Sequence, residues 1–194
     1  MARVRCGGWL AALGMAIALG CAKENWPAAF APAQYTLAQL GGGGQAPAAY
    51  QPAPEIGSAI QATLLEQFGT PAAPAVKGAD PARNAAILRG SRAYRVNCMY
   101  CHGMNGDGAG PSAANYDPRP RDYRRGEFKW KSTLANSKPL RRDLKRTLAE
   151  GVPGTSMPPF KLLADDQLDD LVEYVAFLAE RGETEFAQIG RAHV

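Results

Sequence analysis

Cys98-Met99-Tyr100-Cys101-His102 decides how this chain reads. Two thiols two residues apart, followed at once by an imidazole, make the C-x-x-C-H pattern of a c-type haem attachment site. Each part has a chemical task. The thiols of Cys98 and Cys101 add to the two vinyl groups of one haem and form thioethers, and His102 is held under the iron as the proximal ligand. The predicted cofactor is therefore one covalent haem c. A thiol oxidoreductase using Cys98 and Cys101 is the competing reading. That motif normally follows a strand in a βαβ pattern, and no such pattern is visible here.

Upstream of the motif, Arg83 to Asn97 reads as a helix that delivers Cys98. Ile87, Leu88 and Tyr94 mark its buried side, and Gly90 sets a small residue one turn before Tyr94 on one face. Downstream, Gly103 to Pro111 is a glycine loop. Its small residues suit a chain passing close over a haem edge. A ligating histidine donates its outer N–H to a carbonyl, and the Pro111 region is the candidate for that carbonyl.

A sixth ligand is sought in Gly151-Val152-Pro153-Gly154-Thr155-Ser156-Met157-Pro158-Pro159-Phe160. A methionine in a loop stiffened by prolines is a poor core residue, and its thioether suits haem iron and raises the reduction potential. Met99 lies between the attaching cysteines and Met104 two residues past His102, so neither easily crosses to the other face of the ring. Met1 and Met15 belong to the leader. His193 would give bis-histidine ligation, but it is the penultimate residue of a polar tail. An open site, as in a gas sensor or a peroxidase-like enzyme, is the remaining alternative.

Two more helices flank this loop. Pro139 to Glu150 carries the stripe Leu140, Leu144, Leu148 and ends at Gly151 and Pro153. The last helix, about Asp165 to Arg181, places Leu168, Leu171, Val172, Val175 and Leu178 on a 3.6-residue period, widened by Tyr174 and Phe177. Its acidic start and basic end complement the helix dipole. Gly182 is expected to stop it, leaving residues 183–194 as a tail.

The chain has a net charge of +4, unevenly spread. Between Arg119 and Arg146 there are eleven Lys or Arg against three acids, interleaved with Tyr123, Phe128 and Trp130. From Lys161 onward eight acids face three bases. Basic plus aromatic is also a nucleic-acid footprint, but no binding motif accompanies it and no nucleic-acid partner is expected. Arg121, Tyr123, Trp130 and Lys131 are instead candidates for hydrogen bonds to the haem propionates. The rest would form a positive face steering an acidic redox partner, with a merely solvated basic surface as the plain alternative.

Residues 1–20 read as an export signal: Arg3 and Arg5, then an apolar run from Trp9 to Leu19 too short to span a bilayer. Ala18-Leu19-Gly20-Cys21 resembles a bacterial lipobox, in which Cys21 becomes the lipid-bearing N-terminus; an ordinary cleaved signal is the alternative. Either predicts an exported protein on the periplasmic side, and the first a membrane-anchored one. With Cys6 in the signal, no cysteine pair remains for a disulfide. Residues 21–82 read as a tether rich in Ala, Pro and Gly, with Gly41 to Gly44 unbroken. Trp26, Phe30, Tyr35 and Tyr50 within it are placed either on the folded domain or on a partner. A short helix near 55–68 repeats Ile56, Ile60, Leu64 and Phe68. It serves either the core or partner docking, and Pro71, Pro74 and Pro81 lead out of it as a second linker.

The helix with Gly90 and Tyr94, the C-x-x-C-H with its glycine loop, Met157 before Pro158 and the aromatic C-terminal helix together resemble class I (monohaem) cytochrome c, over about residues 84–181. The stretch from Gly151 to Pro158 is similar to exported bacterial cytochromes c of respiratory chains. The resemblance implies an all-α fold in residues 83–182, several helices wrapping one haem, with the first and last crossing near Gly90 and Tyr174. It implies a one-electron carrier rather than an enzyme, without catalytic residues. The alternative is a haem-bearing electron-transfer subunit docked in a larger membrane oxidoreductase complex. The long tether and the basic insert at 119–138 depart from the family.

Overall fold

The computed structural model describes residues 25–31 and 54–191. Helix α1 (Pro54–Phe68) leads into a hairpin of two short antiparallel strands, β1 (Gly69–Thr70) and β2 (Ala73–Pro74). Helix α2 (Pro81–Asn97) runs directly into the single turn α3 (Met99–His102). A 3-10 turn at Ala113–Asn115, helix α4 (Arg141–Glu150) and the long helix α5 (Asp165–Arg191) complete the order. Apart from the hairpin, the regular structure among the described residues is helical, as the resemblance implies.

The crossing of α2 and α5 is the frame. Asp80 caps α2, its Oδ1 accepting the Ala82 N–H at 2.6 Å with Pro81 in the first turn. At Gly90 the two backbones approach so closely that a Cβ would lie 2.0 Å from the Asp170 carbonyl oxygen and 2.9 Å from Tyr174 Cβ. One turn on, the Tyr94 and Tyr174 rings meet edge to face at 5.1 Å. Arg89 clamps the crossing with two 2.7 Å bonds to the Asp170 carboxylate.

Helix α1 lies against α5. Ile60, Leu64 and Phe68 are buried, the Phe68 ring stands edge-on to Phe177 at 5.8 Å, and Gln61 Nε2 donates to Glu185 at 3.1 Å. Pro71 and Pro74 are buried in the hairpin rather than spaced along a linker. The packed body thus includes α1 and the hairpin and does not start at Arg83, since α1 buries its apolar stripe against α5. Trp26 and Phe30 also pack on the body. Arg95 covers the Trp26 ring at 4.6 Å, and Phe30 sits 6.1 Å from Phe177 with Arg181 over its face. Residues 1–20, Cys21, Tyr35, Tyr50 and His193 lie outside the described residues.

Helix α5 does not stop at Gly182. It continues to Arg191 with Glu185 and Ile189 buried, so the stretch expected as a tail is largely helix. Gly182 serves close approach instead: a Cβ there would stand 2.4 Å from Arg124 Cα. The charge asymmetry is partly cancelled within the fold. Lys145 reaches Asp165 and Asp169 at 2.8 and 2.7 Å, Arg141 reaches Glu173 at 2.6 Å, and Lys138 contacts Glu183. Among the described residues no helix is long and apolar enough to cross a membrane.

Candidate functional site

Helix α2 ends by handing its last carbonyls to the motif. The Cys98 N–H bonds to Tyr94 at 2.8 Å, and the Cys101 and His102 N–H groups both bond to the Cys98 carbonyl, at 3.1 and 2.9 Å. This single turn sets Cys98, Cys101 and His102 in the wall of one cavity. Gly103 at φ 75° ends it, and Tyr94 Oη donates to the Gly103 carbonyl at 2.8 Å. The glycine loop then folds back on the motif. A Cβ at Gly110 would lie 2.4 Å from the Tyr100 carbonyl oxygen, and one at Gly108 2.4 Å from that of Pro120. The loop's crowding therefore comes from the chain's own backbone. Its glycines do not line the cavity, contrary to the expectation of a chain passing over the haem edge.

The histidine's carbonyl partner is Arg121, not the Pro111 region. His102 Nδ1 lies 3.1 Å from the Arg121 carbonyl oxygen. A carbonyl only accepts, so Nδ1 carries the proton and Nε2 keeps its lone pair for a metal. Burial lowers the His102 pKa, with the Arg121 carbonyl opposing it, which favours the neutral ligating ring. Tyr123 stacks on this ring at 4.7 Å and 21°, and Phe128 stacks on Tyr123 at 5.9 Å.

Met157 lines the same cavity, half-buried. Its loop is tied down from within. Val152 N–H donates to the Met157 carbonyl at 3.1 Å, and Thr155 Oγ1 accepts the Met157 N–H at 3.1 Å. Gly151 at φ 69° permits the tight return, since a Cβ there would meet the Met157 carbonyl oxygen at 2.7 Å. Leu144 and Leu148 of α4, Val175 of α5 and Phe160 supply apolar wall.

Of the four residues expected near the propionates, Arg121, Tyr123 and Trp130 line the cavity and Lys131 does not. The Lys131 ammonium is held by the carbonyls of Ala135, at 2.6 Å, and Ser137. Arg119 and Lys129 line the cavity and were not singled out from the sequence. The only sequence signal for them was membership of the basic segment.

The cavity measures about 640 Å³, within the range of pockets for cofactor-sized ligands. Its residues fit a haem: two thiols, a neutral imidazole, a thioether, apolar walls and cations for the carboxylates. They fit thiol exchange poorly. Burial, and then Cys101, pushes the Cys98 thiol up to about 12, and the motif follows a helix rather than a strand. Among the described residues no cluster of His, Cys, Asp and Glu forms a separate metal site.

The family model described as Cytochrome c matches residues 87–179. No curated protein shows significant similarity to the chain. A solved chain of the Kuenenia stuttgartiensis reducing HAO-like protein complex is 32% identical, with a TM-score of 0.45. That match covers 45% of this chain and 40% of the other, less than half of either.

Proposed function

The domain at residues 87–179 belongs to the cytochrome c family, which binds covalent haem c and transfers electrons with it, and from that premise we propose a class I carrier whose iron is held by His102 and Met157. The observation that carries this reading is that Cys98, Cys101, His102 and Met157 all line one cavity.

When bound, haem supplies a one-electron iron couple. The chain's residues hold that couple steady. Cys98 and Cys101 provide the thioether links. The Arg121 carbonyl fixes the His102 tautomer, and the stacked Tyr123 ring limits rotation of the imidazole. The bonded loop from Val152 to Met157 would present a soft thioether sulfur to the iron. Leu144, Leu148 and Val175 exclude water, which favours the less charged ferrous state. Arg119, Arg121, Lys129 and Trp130, which line the cavity, would meet the propionates and, at the rim, an acidic redox partner.

The setting is a bacterial respiratory chain on the periplasmic side, with Cys21 as the lipid anchor; the export signal and the lipobox-like Leu19-Gly20-Cys21 support it. The alternative, a subunit docked in a larger membrane oxidoreductase complex, would need a face other than that of α1. Its Ile60, Leu64 and Phe68 are buried in this chain's own core. Co-purification of a stoichiometric partner would favour that alternative.

The test is a redox titration followed by visible absorption on the holoprotein and on Met157→Ala. Low-spin six-coordinate iron in the wild type, with a lower potential and altered spin state in the variant, supports the assignment. High-spin wild-type iron, or an unchanged variant, removes Met157 as ligand. Haem extracted by acid acetone removes Cys98 and Cys101 as attachment points.

A further inference from the structure

Residues 25–31 form a strap tied down on both sides of the haem motif. On one side Arg95, three residues before Cys98, donates through Nη2 to the Asn25 carbonyl at 2.9 Å and covers the Trp26 ring. On the other side Asn105, three residues after His102, donates through Nδ2 to the Ala31 carbonyl at 2.9 Å. Between these ties Phe30 is only 3% exposed, against Phe177 and beneath Arg181. The buried ring and the two side-chain-to-carbonyl bonds together hold the strap on the body.

The strap changes what the N-terminal region can do, given the reading of Cys21 as the lipid anchor, on which this inference rests. Cys21 is four residues from Asn25, a reach of at most about 14 Å. Were the strap free, the chain from Cys21 to Pro54 would behave as a coil with an end-to-end distance of roughly 30 Å and an extended reach on the order of 100 Å. We propose that the lipid-anchored protein is held on the phospholipid surface by this short leash, with the C-terminal end of α2 toward the headgroups. Residues 32–53 lie in sequence beyond the tied strap and add nothing to the length of that leash.

The surface at that end suits a headgroup layer. Arg92 and Val96 lie one turn apart on α2, both exposed, Val96 at 82%, and Tyr100 is 64% exposed on the adjoining turn. Arg92 offers one positive charge, and Val96 and Tyr100 apolar surface, to a headgroup layer held close by the leash. The haem-bearing end would then stay near the membrane plane, and partners would be met by lateral diffusion rather than by a swinging domain.

The experiment uses the full-length, lipidated holoprotein in phosphatidylethanolamine/phosphatidylglycerol vesicles containing a headgroup-labelled fluorescent phospholipid, whose emission the haem quenches at short range. A Gly/Ser insertion of about fifteen residues between Lys23 and Glu24 should relieve most of the quenching. The same insertion between Gly42 and Gly43 should leave it unchanged, because the strap isolates that segment from the anchor. Phe30→Ala should make the second insertion behave like the first. Equal relief from both insertions in the otherwise unaltered chain would overturn the strap as the leash. Absence of quenching in the wild type would overturn surface contact. Mass spectrometry of the N-terminal peptide separates these outcomes from failure of the premise: an unlipidated Cys21 overturns the proposal there.

Discussion

His102 Nδ1 is bonded to the main-chain carbonyl of Arg121 at 3.1 Å, and Arg121 is also one of the cationic residues lining the cavity. The two halves of Arg121 therefore have separable tasks. Arg121→Gln keeps the carbonyl and so should keep the histidine-ligated absorption spectrum. It removes a positive charge near the iron. The ferric state carries one more positive charge than the ferrous, so losing a nearby cation favours ferric iron. The potential should fall by an amount on the order of tens of millivolts, and less at high salt. Potentiometric titration at two ionic strengths measures this; a rise in potential would contradict it.

Gly90 is the tightest point of the α2–α5 crossing. A methyl group there meets the Asp170 carbonyl oxygen at 2.0 Å, which is backbone and cannot swing aside. Gly90→Ala gains helix propensity, up to about 1 kcal/mol, but must separate two helices that also carry the Arg89–Asp170 and Tyr94–Tyr174 contacts. The clash should win, with a net loss of about 3 kcal/mol. Denaturant unfolding of the holoprotein reports it. A variant as stable as the wild type would show that the two helices can separate at this point without cost.

The glycines also show how far the sequence could be read. The cofactor motif was legible because residue identity and spacing alone carry its chemistry, and the 3.6-residue periods of α1, α4 and α5 placed those helices. Gly90 was placed through its spacing to Tyr94. Gly182 was misread as a helix stop, because the cause of that glycine is Arg124, far away in sequence. The histidine's carbonyl partner was missed for the same reason: Arg121 is brought back by the folding of the glycine loop, with Tyr123 N–H bonding to the Gly106 carbonyl at 2.7 Å. Lys129 and Lys131 differ only in where an irregular segment points them, and no periodicity reports that. Phe30 lies in a stretch whose composition reads as tether, and composition cannot reveal one docked aromatic ring.

Glu173 makes stability depend on acid. Burial alone would raise its pKa, but hydrogen bonds from Arg141 and Arg83 outweigh burial and hold the carboxyl below its ordinary value of 4.5. A group depressed in the folded state stabilises the protein fully above its unfolded pKa. That contribution is lost as pH falls from about 4.5 through the lower folded value. Glu173→Gln should therefore cost about 1 kcal/mol at neutral pH and nothing at a pH below the folded pKa. Thermal unfolding of both proteins from pH 7 down to acid should show the two curves converging. Parallel curves would mean that the two arginines are not coupled to this carboxylate.

Asp143 holds the basic insert in shape. Its carboxylate is almost fully buried and accepts the Ser132 N–H at 3.0 Å, the Ser132 hydroxyl at 3.1 Å and the Leu140 N–H at 3.2 Å. The Ser132 N–H, aided by Leu140 and Arg146, keeps the carboxyl below its usual range despite burial, so it is charged at neutral pH. The bonds close the loop between Ser132 and Leu140, next to Lys129 and Trp130 in the cavity wall. Asp143→Ala leaves three donors without their acceptor and should lower stability. Asp143→Asn keeps an acceptor oxygen and should lose less. Hydrogen exchange should show the Ser132 and Leu140 amides losing protection in Asp143→Ala, ahead of amides in α2 and α5. If the loop also positions Lys129 and Trp130 toward the propionates, the variant's haem potential should shift while its His102-ligated spectrum persists. Lost protection with an unmoved potential would confine Asp143 to a structural role.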